Sequence, residues 1–400
     1  MAHLPTLLPK APVREGVTDG LRGMGALLVF MVHFHALFGP LAMEGAWVYL
    51  ASEFAAGVGR TGVGLFWTLS GYLIYRGLLE RRTPYVSFLK RRIQRIYPTF
   101  FAVFILYLFL SALFPSENKI HGTVPQIIKL VAANLALIPP FFSVTPIIAA
   151  SWTLSFTVLF YLLVPISVWV FNKWELHPRR RLACLVTIWV LYATACVFTG
   201  WFARSLQFIT GMIFADLINA GILKRQRSRT RELACAATAA SCFVYAYLFH
   251  VCRVPLWAPF RPYVFRQVVV ALGFLLLFTC ALRFDGWVAR VLSLPSMRWI
   301  GRVSFSWYLI HGAVLKGILR LLDDGPSISP YALPLVLAVA VGATAVASAT
   351  LYKYVEAPLS FPGRNLGAAP ANQRGTLSLP TGFSRKFGVV RQLLASTIAK

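Results

Sequence analysis

Apolar residues fill this chain in blocks of roughly twenty, hydrophobic all round rather than at every second position, and short polar or basic stretches divide the blocks. A run of that length crosses ~30 Å of hydrocarbon as a helix, whereas strands of a membrane barrel would alternate. The pattern predicts an all-α fold, a polytopic transmembrane helical bundle of about ten spans. They fall near 21–39, 57–79, 97–115, 151–172, 182–199, 202–222, 232–252, 266–283, 303–321 and 332–354. The apolar stretch 125–142 is broken by Pro139 and Pro140, which predicts an interfacial or re-entrant piece rather than a crossing.

Composition removes the soluble alternative, because 58% of residues are hydrophobic, 13% are charged and the mean hydropathy is +0.68. A net charge of +26 would suggest nucleic acid in a soluble protein, but the basic residues lie between apolar runs and not along one face. They report topology instead. With the spans above, 30 of the 39 Lys and Arg fall on one side or at its span ends, so both termini are expected in the cytoplasm. No small-residue cleavage site closes the first span, which is therefore expected to stay in the protein. The six cysteines lack paired metal-type spacing and read as small buried apolar residues, and no ligand cluster suggests a metal. No internal repeat is evident.

Two domains are expected: a transmembrane domain, 1–360, and a basic cytoplasmic tail, 361–400. The tail carries Phe383, Phe387, Val390, Leu394 and Ile398 at helical spacing, with Arg385, Lys386 and Arg391 between them. An amphipathic helix on anionic lipid is the natural expectation.

Ionisable residues inside apolar runs are costly, so each is a functional candidate. Arg22 and His33 are eleven positions apart in the first span. At ~100° per residue they share one helix face, ~16 Å apart along the axis, while His35 points roughly the other way. Arg92 and Arg95, just before the third span, share a face that suits phosphates, although such clusters also anchor topology and lipid. A polar stripe of Ser304, Ser306, Tyr308 and His311 opens the span at 303–321, where interhelical hydrogen bonding is the plainer account. The same holds for Ser151-Trp152-Thr153-Leu154-Ser155 and for Ser70-Gly71-Tyr72, in which Gly71 permits close helix approach.

Taken in order, these segments resemble the membrane-bound acyltransferase family 3, which O-acylates surface polysaccharides, lipopolysaccharide O-antigens, Nod factors and peptidoglycan. The resemblance runs from about residue 17 to 360. It rests on Arg22 and His33, on Gly62 to Ile74 with its Leu-Ser-Gly core, and on Phe88 to Pro98 with Arg92 and Arg95. It continues through Asn134-Leu135, Ser151 to Ser155 with Phe160-Tyr161, Gly301-Arg302 through His311, and Glu356-Ala357-Pro358. One departure stands out: Thr157-Val158-Leu159 occupies the place where the family usually has one or two glutamates, so the role of that carboxylate is missing or served by another group. Gly64 also stands where Asp is frequent, and no SGNH-type domain is expected after Pro358.

The resemblance implies transfer of an acyl group, acetyl above all, from cytoplasmic acyl-CoA to a hydroxyl of a cell-surface or exported carbohydrate. The setting is the bacterial cytoplasmic (inner) membrane. It assigns catalysis to His33 and Arg22. Substrate or acyl-CoA contacts fall to Arg92, Arg95, Ser70, Tyr97, Ser151, Trp152, Ser304, Tyr308 and His311. Acyl-CoA enters as co-substrate, with no bound cofactor, and the partners are the carbohydrate acceptor and membrane lipids, not nucleic acid. A transporter of polysaccharide or lipid-linked glycan is the alternative, since intramembrane Arg and His also serve substrate paths, and a scaffold in a glycan-synthesis complex is a third reading.

Overall fold

A computed structural model of the chain describes residues 15–41, 47–81, 83–114, 119–199, 202–251, 262–322 and 330–360. The tail helix expected within 361–400 and Cys252 lie outside these residues. The described residues form an all-α polytopic membrane fold. Its helices are α1 (Glu15–Phe38), α2 (Trp47–Gly59), α3 (Gly62–Arg81), α4 (Tyr85–Leu113) and α5 (Val124–Leu135). They continue with α6 (Trp152–Lys173), α7 (Pro178–Thr199), α8 (Leu206–Asn219), α9 (Arg229–Val251) and α10 (Pro262–Arg283). The last are α11 (Trp287–Leu292), α12 (Pro295–Arg302), α13 (Ser304–Leu322), α14 (Leu333–Leu351) and α15 (Ala357–Ser360), with a π-helical turn, Tyr352–Glu356, between α14 and α15.

Each expected span has a helix, and seven described helices are long and apolar enough to cross a membrane: those containing α1, α4, α6, α7, α9, α10 and α14. The other three differ for physical reasons. With 14 residues α8 is only ~21 Å long, while α3 and α13 have the length but carry the polar positions noted above. The expected span 57–79 is interrupted at Arg60-Thr61. Before that break stands α2, a helix the sequence pattern did not separate from the preceding loop. Its Val48 and Ala56 are buried, so tertiary packing, not periodicity alone, holds it. As expected of 125–142, α5 is short, at 12 residues, and a 3₁₀ turn at Pro139–Phe142 follows it.

Packing centres on α1, which touches α2, α3, α11, α12 and α13. Phe30, Phe34, Phe38 and Trp307 are buried along the α1–α13 seam, and Phe30 meets Trp307 edge-on at 5.7 Å. In lipid there is no hydrophobic drive between helices, so small residues and polar bonds hold them together. Accordingly α3 and α8 pack backbone to backbone. A Cβ on Gly71 would lie 2.0 Å from the Phe208 carbonyl oxygen, and one on Gly211 2.0 Å from that of Thr68. Lower on the same pair, Tyr75 donates to Asp216 Oδ2 at 2.6 Å while Arg181 from α7 grips both carboxylate oxygens at 2.8 and 3.2 Å. Asp216 is fully buried, so this planar fork supplies the countercharge that makes its burial tolerable.

Asn134 ties the end of α5 to the segment that precedes α6. Its Nδ2 donates to the carbonyls of Leu130 at 2.9 Å and Thr145 at 3.1 Å, and its Oδ1 accepts from the Ile147 N–H at 2.9 Å. That fixes the short turn Ala149–Ser151 at the start of α6, one wall of the site below.

Candidate active site

His33 projects from α1 and His311 from α13, and their rings meet with centroids 5.0 Å apart. The helix seam described above brings them together, since Phe30 also packs on the His311 ring, at 6.4 Å. His311 is buried, and its Nδ1 lies 3.1 Å from the Trp307 carbonyl oxygen. A carbonyl only accepts, so Nδ1 carries the proton and Nε2 holds a lone pair. That Nε2 is buried and has no hydrogen-bond partner among the described residues. His33 is half-buried beside it. An unspent basic nitrogen next to a second imidazole is an arrangement suited to taking and passing a proton.

Tyr308, one turn before His311, has its ring 6.2 Å from the His311 ring. Its hydroxyl reaches the Ala150 carbonyl at 2.9 Å and the Thr153 hydroxyl at 2.6 Å. The α13 motif and the motif at the start of α6 thus form one wall. Thr157, at the position of the missing glutamate, lies one turn further along α6 and donates to the Thr153 carbonyl at 3.0 Å. Ser151 is buried and donates its N–H to Ile148 O at 2.9 Å, while the Trp152 ring packs against Trp67, Phe156 and Phe202.

A second group gathers the basic candidates. Arg22 lies near the start of α1 and pairs with Asp19 at 2.7 Å. Arg92 lies over the rings of Phe88 at 5.1 Å and Tyr161 at 5.5 Å. Arg92 therefore sits on Tyr161, Arg95 lies one turn further along α4 over the Phe305 ring at 5.5 Å, and Arg22 is on α1 ~16 Å along its axis from His33.

Arg95 differs from the sequence expectation in one respect: it is already engaged. Its Nη1 donates to Glu356 Oε1, and the other carboxylate oxygen accepts from the Ser306 N–H at 3.1 Å and from the Ser306 hydroxyl. Glu356 is fully buried, in the π-helical turn after α14. Such turns recur at functional sites because the extra residue re-aims a side chain. Glu356 belongs to the Glu356-Ala357-Pro358 motif, to which the sequence alone assigns no role. A carboxylate in an apolar stretch is the signal that would have marked it.

Ser304 is buried as the first residue of α13, and Ser70 and Tyr97 are half-buried on α3 and α4. Among the described residues none of these three hydrogen-bonds to the histidine pair. Thr153, which orients Tyr308, stands in the segment read as interhelical hydrogen bonding, whereas Trp307, whose carbonyl orients His311, was given no role, because an aromatic core residue carries no such signal of its own.

The geometry now has a family to stand beside. The family model described as the acyltransferase domain, of acyltransferase group 3, matches residues 18–353, and the chain belongs to that family. Over 370 residues it is 23% identical to the peptidoglycan O-acetyltransferase OatA of Listeria monocytogenes, covering 85% of this chain and 55% of that protein. A putative peptidoglycan O-acetyltransferase of Bacillus subtilis, YrhL, is likewise 23% identical, over 86% of this chain and 55% of its own length. The exopolysaccharide production protein ExoZ of Rhizobium meliloti is 25% identical over 77% of this chain and 91% of its own. The chain thus spans about half the length of the two peptidoglycan-named relatives. No solved structure matches it.

Proposed function

We propose that this protein is a membrane O-acyltransferase that moves an acetyl group from cytoplasmic acyl-CoA to a hydroxyl of an exported or cell-surface carbohydrate. The observation that carries the proposal is the meeting of His33 and His311 inside the bundle, with Arg22 nearer the other end of the helix that bears His33. Family membership and the O-acetyltransferase and exopolysaccharide names of the relatives support the reaction class and a glycan acceptor. Charge asymmetry supports an even number of crossings, ten in our reading, with both termini cytoplasmic, and the bacterial sources of the relatives support a bacterial cytoplasmic (inner) membrane.

In this reading the donor's phosphates lie against Arg92 and Arg22, with Arg95 held by Glu356 as the frame of that site. His33, supported by His311, removes the proton from the acceptor hydroxyl as its oxygen attacks the thioester carbonyl carbon. The C–S bond then breaks, the acyl group stays on the sugar oxygen, and the proton returns to the departing CoA thiolate. Tyr308, held by Thr153 and Ala150, lines the reacting centre.

The test is label transfer from acetyl-CoA to a glycan acceptor by purified protein. Wild type transfers label and His33→Ala does not. Label retained by His33→Ala at wild-type rate refutes the role of the histidine, and a transporter or scaffold moves no label at all.

A further inference from the structure

We propose that Arg60, Arg204 and Arg266 form an anion subsite at the end of the bundle opposite Arg22, which binds an oxyanion carried by the acceptor glycan. This rests on the reading above, in which donor and acceptor approach from opposite ends. Arg60 lies in the break between α2 and α3, Arg204 in the 3₁₀ turn Ala203–Ser205 before α8, and Arg266 near the start of α10. These places converge, because that turn touches both α3 and α10, and Gln207 Nε2 donates to the Gln267 carbonyl at 3.1 Å. Arg204 lies within electrostatic reach of both other arginines.

Three guanidiniums brought together repel one another. Elsewhere the protein gives its enclosed arginines carboxylates, Glu356 for Arg95 and Asp216 for Arg181. Among the described residues no ion pair engages Arg60, Arg204 or Arg266. Arg266 is only 7% exposed, and its Nε is buried with no hydrogen-bond partner among those residues. A buried unpaired donor on a charged group is costly unless a ligand completes it.

The walls are aromatic. Arg204 lies 5.7 Å from the rings of both Trp152 and Phe202, and Arg266 lies 6.0 Å from that of Tyr263. Planar guanidiniums held on ring faces keep their edges for a phosphate or carboxylate. Trp152, the ring beside Arg204, precedes Thr153, whose hydroxyl meets that of Tyr308 at 2.6 Å, so the subsite adjoins the wall of the histidine pair. An acceptor whose oxyanion is seated there holds a nearby hydroxyl toward His33.

The shared ligand chemistry is an oxyanion, which an acidic sugar, a glycan diphosphate or a lipid headgroup supplies. Binding is read without catalysis, as thermal stabilisation of purified protein in uncharged detergent by inorganic pyrophosphate at fixed ionic strength. With CoA at saturation to occupy the donor end, wild type is stabilised; Arg204→Gln and Arg266→Gln lose at least half of the shift, whereas Arg179→Gln, at an exposed arginine outside both sites, does not. Arg60→Gln, in an exposed turn, repeats the test where a buried change impairs folding. Wild-type shifts in all three refute the subsite. In turnover, Arg204→Gln raises KM for an anionic acceptor about ten-fold, the loss of one charge-assisted bond, and leaves KM for acyl-CoA unchanged. Pyrophosphate stabilisation abolished by anionic-lipid nanodiscs but not by neutral ones assigns the site to lipid and overturns the acceptor role. Failure of label transfer to every glycan, with the pyrophosphate shift intact, refutes the proposed activity and not the anion site.

Discussion

Replacing Arg95 decides whether that residue serves the fold or the donor. Glu356 has no exposed side-chain surface and Arg95 is 28% exposed, so the pair is enclosed on the carboxylate side. Arg95→Met leaves the carboxylate with Ser306 as its remaining described hydrogen-bond partner, an uncompensated buried charge costing about 3–5 kcal/mol. Glu356→Gln removes the charge and keeps the shape, and the double variant loses both charges together. We expect the double variant to be more stable than Arg95→Met, with a coupling energy of at least about 2 kcal/mol between the two positions. Unfolding in mixed dodecylmaltoside and SDS micelles, followed by tryptophan fluorescence, measures the cycle. A coupling near zero, with Arg95→Met as stable as wild type but with a raised KM for acyl-CoA, would refute the reasoning and make Arg95 a donor ligand.

Two further outcomes follow from the packing. Gly71→Ala places a methyl 2.0 Å from a backbone oxygen that cannot rotate away, so α3 and α8 must separate; we expect about 1–3 kcal/mol of lost stability, or no folded protein on detergent size exclusion. Asn134→Ala leaves the carbonyls of Leu130 and Thr145 and the N–H of Ile147 without that amide, which costs about 1–3 kcal/mol and loosens the turn before α6. Hydrogen exchange at Ile147 faster than wild type by ten-fold or more checks the second, and unchanged exchange counts against it.

Much of this arrangement was legible in the chain. Uniform apolar runs gave the helices, and the eleven-residue spacing gave Arg22 and His33 one face, because both signals are local and periodic. The break at Arg60 and the separate α2 were not legible, since apolar residues on both sides of the turn look continuous. Nor was the partner of Arg95, which lies 261 positions away, or the bond between Tyr308 and Thr153, 155 positions apart. Contacts at that separation leave no period in one sequence. The Arg60, Arg204 and Arg266 group was passed over for the same reason, its members being scattered over two turns and a helix start that only the fold unites.

The most direct measurement is acetyl transfer from labelled acetyl-CoA to a soluble glycan acceptor by the purified protein, with wild type, His33→Ala and His311→Ala assayed side by side at matched thermal midpoints. Label is expected on the acceptor for wild type, with a loss of at least about a hundred-fold for His33→Ala and a clear loss for His311→Ala, the size expected when a general base or its support is removed. Wild-type transfer by both variants, or no transfer to any acceptor by folded wild type, would contradict that expectation.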